Sequence, residues 1–113
     1  MSNPVEPFQR VDVTAAKELI DGGTIHLIDV REQNEWDEGY IDGAVLISVN
    51  DIVSMSRVDE IPKEGPILFY CAGGVRSALA AELAASVGIE GPLYNMEGGI
   101  EEWRKADFPV SLD

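Results

Sequence analysis

Ile67-Leu68-Phe69-Tyr70 places four large apolar or aromatic residues in succession, with the Gly65-Pro66 turn before them and a glycine pair shortly after. A strand with one wet face alternates apolar and polar side chains, so a run without alternation belongs to a strand covered on both faces. Residues 24–30, with Ile25, Leu27, Ile28 and Val30, have the same character, and residues 44–49 and 93–96 are shorter runs of this kind. Residues 10–13 supply one more short strand. Helical stretches lie between the runs. Thr14 is placed to cap a helix through Ala16, Leu19 and Ile20, closed by Gly22-Gly23. A short polar helix over 32–38 carries Trp36 and ends at Gly39. Asn50 or Asp51 can cap a weak helix running toward Ser56. Residues 76–87 form the strongest helix, Ala-rich, with Leu79, Leu83 and Val87 on one stripe and Gly88 at its C-terminus. Its alanines suggest close packing on a sheet. Residues 100–106 make the last helix.

Strands that alternate with helices and are covered on both faces imply an α/β fold, a three-layer sandwich around a parallel sheet. The 113 residues suit one domain spanning 1–113 with its core at about 11–110. Ligands of such sheets bind beyond the carboxyl ends of the strands. That rule points to the ends of the runs at 25–29 and 67–70.

Composition narrows the function classes. Eight Lys and Arg against 21 Asp and Glu leave a net charge of -13, which argues against nucleic acid and anionic membranes as partners. No stretch is long and apolar enough for a membrane span, and the polar start MSNPVEPFQRVD lacks the apolar segment of a signal peptide, so a cytoplasmic protein is expected. Cys71 is the sole cysteine, which rules out an internal disulfide. With His26 as its only companion among soft ligands, no structural metal site is expected either.

The run at 67–70 leads into Cys71-Ala72-Gly73-Gly74-Val75-Arg76-Ser77. Without a Cβ at Gly73 and Gly74, successive amides can all turn inward and form an anion-binding nest. The start of the helix at Arg76 adds unpaired N–H groups and the positive end of its dipole. A thiol at the centre of this ring is expected to ionise below the free value of roughly 8.5, giving a nucleophile that needs no histidine base. Burial as a plain core thiol is the simpler role for a lone cysteine, but a core thiol does not require two glycines and an arginine directly after it.

These residues, together with Leu27-Ile28-Asp29-Val30-Arg31, Glu32 and Trp36, Gly39-Tyr40-Ile41-Asp42-Gly43-Ala44, and Asn95-Met96-Glu97-Gly98-Gly99-Ile100 with Trp103, resemble the rhodanese-like sulfurtransferases over about residues 11–110. The resemblance implies a five-stranded parallel sheet flanked by helices and a cysteine that carries sulfur as a persulfide. By position, Cys71 is the sulfur acceptor, the loop from Ala72, Gly73, Gly74 and Val75 to Arg76 and Ser77 binds the substrate, and Asp29 and Arg31 support it. Tyr40 and Asp42 stand where the family commonly has His and Pro, so any role of an imidazole there is lost.

The expected cycle is ping-pong. The Cys71 thiolate takes the sulfane sulfur of thiosulfate or another persulfide donor and passes it to cyanide or to a thiol, with no metal or organic cofactor. The acceptor thiol must come from outside the chain, and the acidic surface suits a basic protein partner. Dianionic thiosulfate is expected to bind weakly against that surface. Only four residues separate Cys71 from Arg76, whereas cysteine phosphatases have five, and no resolving cysteine is present for an arsenate reductase. A non-catalytic anion-binding or interaction module is the other alternative. Arg76 either binds substrate or ties the helix start to a carboxylate such as Asp29. Asp29 and Arg31 either line the pocket mouth or pair with neighbours. His26 reads as a structural residue of its strand, Trp36 and Trp103 as packing anchors, the acidic run 32–38 as a solvated face, and Glu101-Glu102 as acids favoured in the first turn of a helix.

Overall fold

The computed structural model describes residues 6–112. Five strands, β1 (Gln9–Val11), β2 (His26–Asp29), β3 (Val45–Leu46), β4 (Ile67–Tyr70) and β5 (Leu93–Met96), form one sheet in the order β1-β5-β4-β2-β3. All four pairings are parallel, as the unalternated runs imply. Helices α1 (Val13–Asp21), α2 (Gln33–Asp37), α3 (Val49–Val53), α4 (Val75–Ser86) and α5 (Gly99–Lys105) connect the strands, with a 3-10 turn at Val58–Glu60.

Each face of the sheet is the floor of its own core. Ile28, Ile67, Phe69 and Cys71 pack with Val49 and Ile52 of α3 and Ala80, Ala81 and Ala84 of α4. On the opposite face, Leu27, Leu68 and Tyr70 pack with Ala16 of α1 and Ile100 and Trp103 of α5. Period-two alternation along β4 therefore sends Cys71 to the α3/α4 side and Tyr70 to the α1/α5 side. All four residues of β4, the central strand, are buried.

Several local expectations are corrected. Asp12, not Thr14, caps α1, accepting the Ala15 N–H at 2.8 Å. The α1 helix begins at Val13, which places Thr14 inside its first turn. Ser48 caps α3 in place of Asn50 or Asp51, through the Asn50 N–H at 3.2 Å. The strand expected over 44–49 shrinks to two residues, because the chain turns into α3 at Val49. The alanines of α4 do pack on the sheet: Ser77, Ala80, Ala81 and Ala84 are buried, Leu83 is partly buried against the same core, and Leu79 and Val87 are exposed. These small residues at three- and four-residue spacing let α4 approach the strands closely. His26 opens β2 and is exposed. Trp103 is a buried anchor, edge-on to Phe108 at 5.0 Å, with its indole N–H donating to Pro109 O at 2.8 Å. Trp36 is only half-buried and lies flat on Tyr40, with ring centroids 3.9 Å apart.

The chain leaves β2 toward β3 and leaves β4 toward β5, in opposite directions along the sheet. Between those adjacent strand ends lies the switch-point crevice, where α/β sheets bind ligands. Asp29 and Cys71 stand on its two sides.

Candidate functional site

Cys71 follows the last residue of β4 and is 1% exposed. The backbone then reverses through Gly73 and Gly74, with Gly74 at φ 103°. A Cβ at Gly74 would lie 3.2 Å from the Gly98 amide nitrogen and 3.4 Å from Met96 O, so the position requires glycine for both space and conformation. From this turn the Gly74 N–H donates to Cys71 Sγ at 3.1 Å, and the Ser77 hydroxyl donates to it at 3.3 Å. The α4 helix starts at Val75, one residue before the expected Arg76, and Gly74 offers it no side-chain cap. Ser77 is its third residue, whose N–H an ordinary capping oxygen would accept. Here Cys71 Sγ sits against this first turn instead, bonded by the Ser77 hydroxyl.

Burial alone would push the Cys71 thiol up. The Ser77 hydroxyl and the backbone N–H groups of Ser77, Gly74 and Gly73 outweigh burial, and the thiol ionises below its ordinary value. Thiolate reactivity therefore persists to lower pH than for a free cysteine. Ser77→Ala removes the strongest of the stabilising contacts and should move the midpoint of the pH profile for iodoacetamide alkylation upward by about one unit. An unchanged midpoint would deny Ser77 that role.

The loop rests on the turn between β5 and α5. The Ile100 N–H donates to Cys71 O at 2.9 Å and the Glu101 N–H to Ala72 O at 3.1 Å. Orphan amides at the start of α5 thus take up the loop carbonyls. Gly99 makes this possible, since a Cβ there would lie 2.3 Å from Ala72 O. The Asn95 carboxamide, fully buried, donates from Nδ2 to Gly74 O at 3.1 Å and to the Glu97 carboxylate.

Arg76 does not reach Asp29. Its guanidinium makes a two-pronged pair with Glu35 of α2 at 2.7 and 2.9 Å, holding that carboxyl down to about 2 through its hydrogen bonds. Asp29 pairs with Arg31 at 2.7 Å, both buried, and Arg31 also donates to Gly39 O at 2.8 Å and Glu35 O at 3.3 Å. The two residues tie the end of β2 to α2 and thereby position Glu35. Ala72 is half-buried, and Gly73 and Val75 are exposed on the rim, Val75 at 83%. Glu35, Asn95 and Gly99 were not singled out as site residues from the sequence. Glu32 and Glu35 had a signal as the two acids of a capping box, which α2 does form. Asn95 had one as an amide within an apolar strand.

Among the described residues no helix is long and apolar enough to cross a membrane.

A family model described as Rhodanese-like domain matches residues 12–106. Thiosulfate sulfurtransferase GlpE of Vibrio cholerae serotype O1 is 26% identical over 106 residues, covering 94% of this chain and 97% of that protein. Probable adenylyltransferase/sulfurtransferase MoeZ of Mycobacterium tuberculosis is 38% identical over 91 residues, covering 80% of this chain but only 23% of that protein. Among solved structures, a rhodanese-related protein from Thermoplasma volcanium superposes with a TM-score of 0.80 at 26% identity, covering 93% of this chain and 99% of that one.

Proposed function

The chain belongs to the rhodanese-like domain family, and from that premise we propose that it is a sulfurtransferase in which Cys71 carries a sulfane sulfur between a thiosulfate or persulfide donor and a thiol or cyanide acceptor. The observation that carries this reading is the convergence of the Gly74 N–H and the Ser77 hydroxyl on Cys71 Sγ at the start of α4. The Cys71 thiolate attacks the outer sulfur of the donor, the sulfur–sulfur bond of the donor breaks, and sulfite or a thiolate leaves. An acceptor nucleophile then attacks the outer sulfur of the Cys71 persulfide and regenerates the thiolate. Donors aimed at the sulfur before the reaction stabilise the anion without reorganisation, as an oxyanion hole does for oxygen. Gly73, Gly74 and Ser77 supply these amides, Ala72 and Val75 form the apolar part of the rim, and Arg76 with Glu35 closes one side. No metal or organic group takes part in this cycle. Cys71 is the sole cysteine of the chain, so the acceptor thiol comes from elsewhere.

Intact-protein mass spectrometry after incubation with thiosulfate tests the reading. The protein should gain one sulfur atom and lose it on addition of cyanide. Absence of any gain with thiosulfate and with a polysulfide donor would overturn it in favour of a binding module.

A further inference from the structure

The charge around the loop is set by two carboxylates. Arg76 is the sole charged residue between Gly65 and Ala81, and both terminal nitrogens of its guanidinium are engaged by Glu35. A guanidinium paired in this way offers an incoming anion much less than a free positive charge. Across the loop stands Glu101. Its N–H is fixed on Ala72 O, and its Oε1 lies 3.8 Å from where a Cβ of Gly73 would be. Glu101 is exposed, and its carboxylate has no hydrogen bond or ion pair among the described residues. Gly73 is exposed on the rim of the loop, and its amide is one of those acting on the thiol. An unpaired negative charge therefore lies beside the open side of the ring while the nearest positive charge is already matched.

Resting on the sulfur-transfer reading, we propose that Glu101 determines donor specificity by charge, disfavouring dianionic donors such as thiosulfate and favouring persulfides whose carrier is neutral or cationic. The charges in each reaction differ. Attack of the thiolate on thiosulfate forms the Cys71 persulfide anion and releases sulfite, and the reacting groups carry three negative charges throughout. Attack on a persulfide R–S–SH forms Cys71–S–SH, breaks the sulfur–sulfur bond of the donor, and leaves the electron pair on R–S⁻. One negative charge is carried throughout, the proton stays on the transferred sulfur, and no oxidant or reductant is consumed. A cationic group on R cancels that charge and faces Glu101.

The test measures the rate of sulfur loading on Cys71 from thiosulfate, from the persulfide of 3-mercaptopropionate and from the persulfide of cysteamine, at low ionic strength. The two persulfides match in length and differ in the charge of their far end. Wild type should load from the cysteamine persulfide about five- to tenfold faster than from the mercaptopropionate persulfide, with thiosulfate slowest. Glu101→Gln should bring the persulfide ratio close to one and raise the thiosulfate rate, and Glu101→Lys should invert the ratio. Glu102→Gln, which removes the same charge one residue further on, should leave the ratio as in wild type. A wild-type ratio near one, a ratio unmoved by Glu101→Gln, or an equal change in Glu102→Gln would each overturn the proposal, the last by assigning the effect to the surface as a whole. Failure of the sulfur-transfer reading itself looks different: wild type would then load from none of the three donors.

Discussion

Cys71→Ser is expected to abolish sulfur loading from every donor while leaving the fold close to wild type. Serine keeps the shape of the side chain, and its oxygen can accept the Gly74 N–H that the sulfur accepts at 3.1 Å, so stability should change by no more than about 1 kcal/mol. Chemistry should not survive. A serine hydroxyl beside these amides has no base to ionise it, since the partners of the position are N–H groups and the Ser77 hydroxyl, all of them donors. Mass spectrometry after donor incubation, read beside a urea unfolding curve, separates the two effects. Residual loading in a folded Cys71→Ser protein would remove Cys71 from the centre of the mechanism.

Asp29→Ala should give the largest loss of stability of any single change near the site, about 3–5 kcal/mol, because it leaves the Arg31 guanidinium buried without its partner. Asp29 is fully buried and Arg31 is 4% exposed. The carboxylate accepts the Arg31 backbone N–H at 2.9 Å as well as its side chain, and it acts on the neighbouring Tyr70 hydroxyl. Burial and that neighbouring carboxylate push the Tyr70 hydroxyl up, so it remains protonated, and it accepts the Ile41 N–H at 3.0 Å. Removal of Asp29 thus disturbs β2, β4 and the segment after α2 together. The urea midpoint should fall, and loading should fall with it as Glu35 loses its seat. A midpoint within experimental scatter of wild type would show that Arg31 finds water or another acceptor.

The alternation of buried runs with helices was sufficient for the parallel sheet, because a strand covered on both faces writes its burial into consecutive residues. The turn after β4 was equally legible, since two adjacent glycines after a strand-end cysteine have few structural uses, and Gly74 does take a positive φ. What could not be read were the partners of that loop. Arg76 and Glu35 are 41 residues apart and Asn95 is 21 residues from Gly74, and a single chain carries no record of which distant side chains meet. The alternatives left open for Arg76 included a carboxylate partner, but Asp29 was the wrong one: Arg31, two residues away, already occupies it. The close packing of α4 on the sheet was legible in its alanines, since Ala80, Ala81 and Ala84 are buried. The tight approach of helix to sheet selects by size, which leaves Leu79 and Val87 exposed.

The seating of the loop on α5 has a consequence for what this architecture can become. The carbonyls of Cys71, Ala72 and Gly74 are each held by a group from the β5–α5 region. The diameter of the amide ring is therefore a property of where α5 stands as much as of the residues in the loop. Enlarging the ring to admit a bulkier tetrahedral anion would take more than the insertion of one residue. The first turn of α5 would have to retreat, and with it Trp103, which anchors that helix in the core. The width of the ring is in this sense stored in the hydrophobic packing on the far side of the sheet, and a change in what it admits would have to begin there.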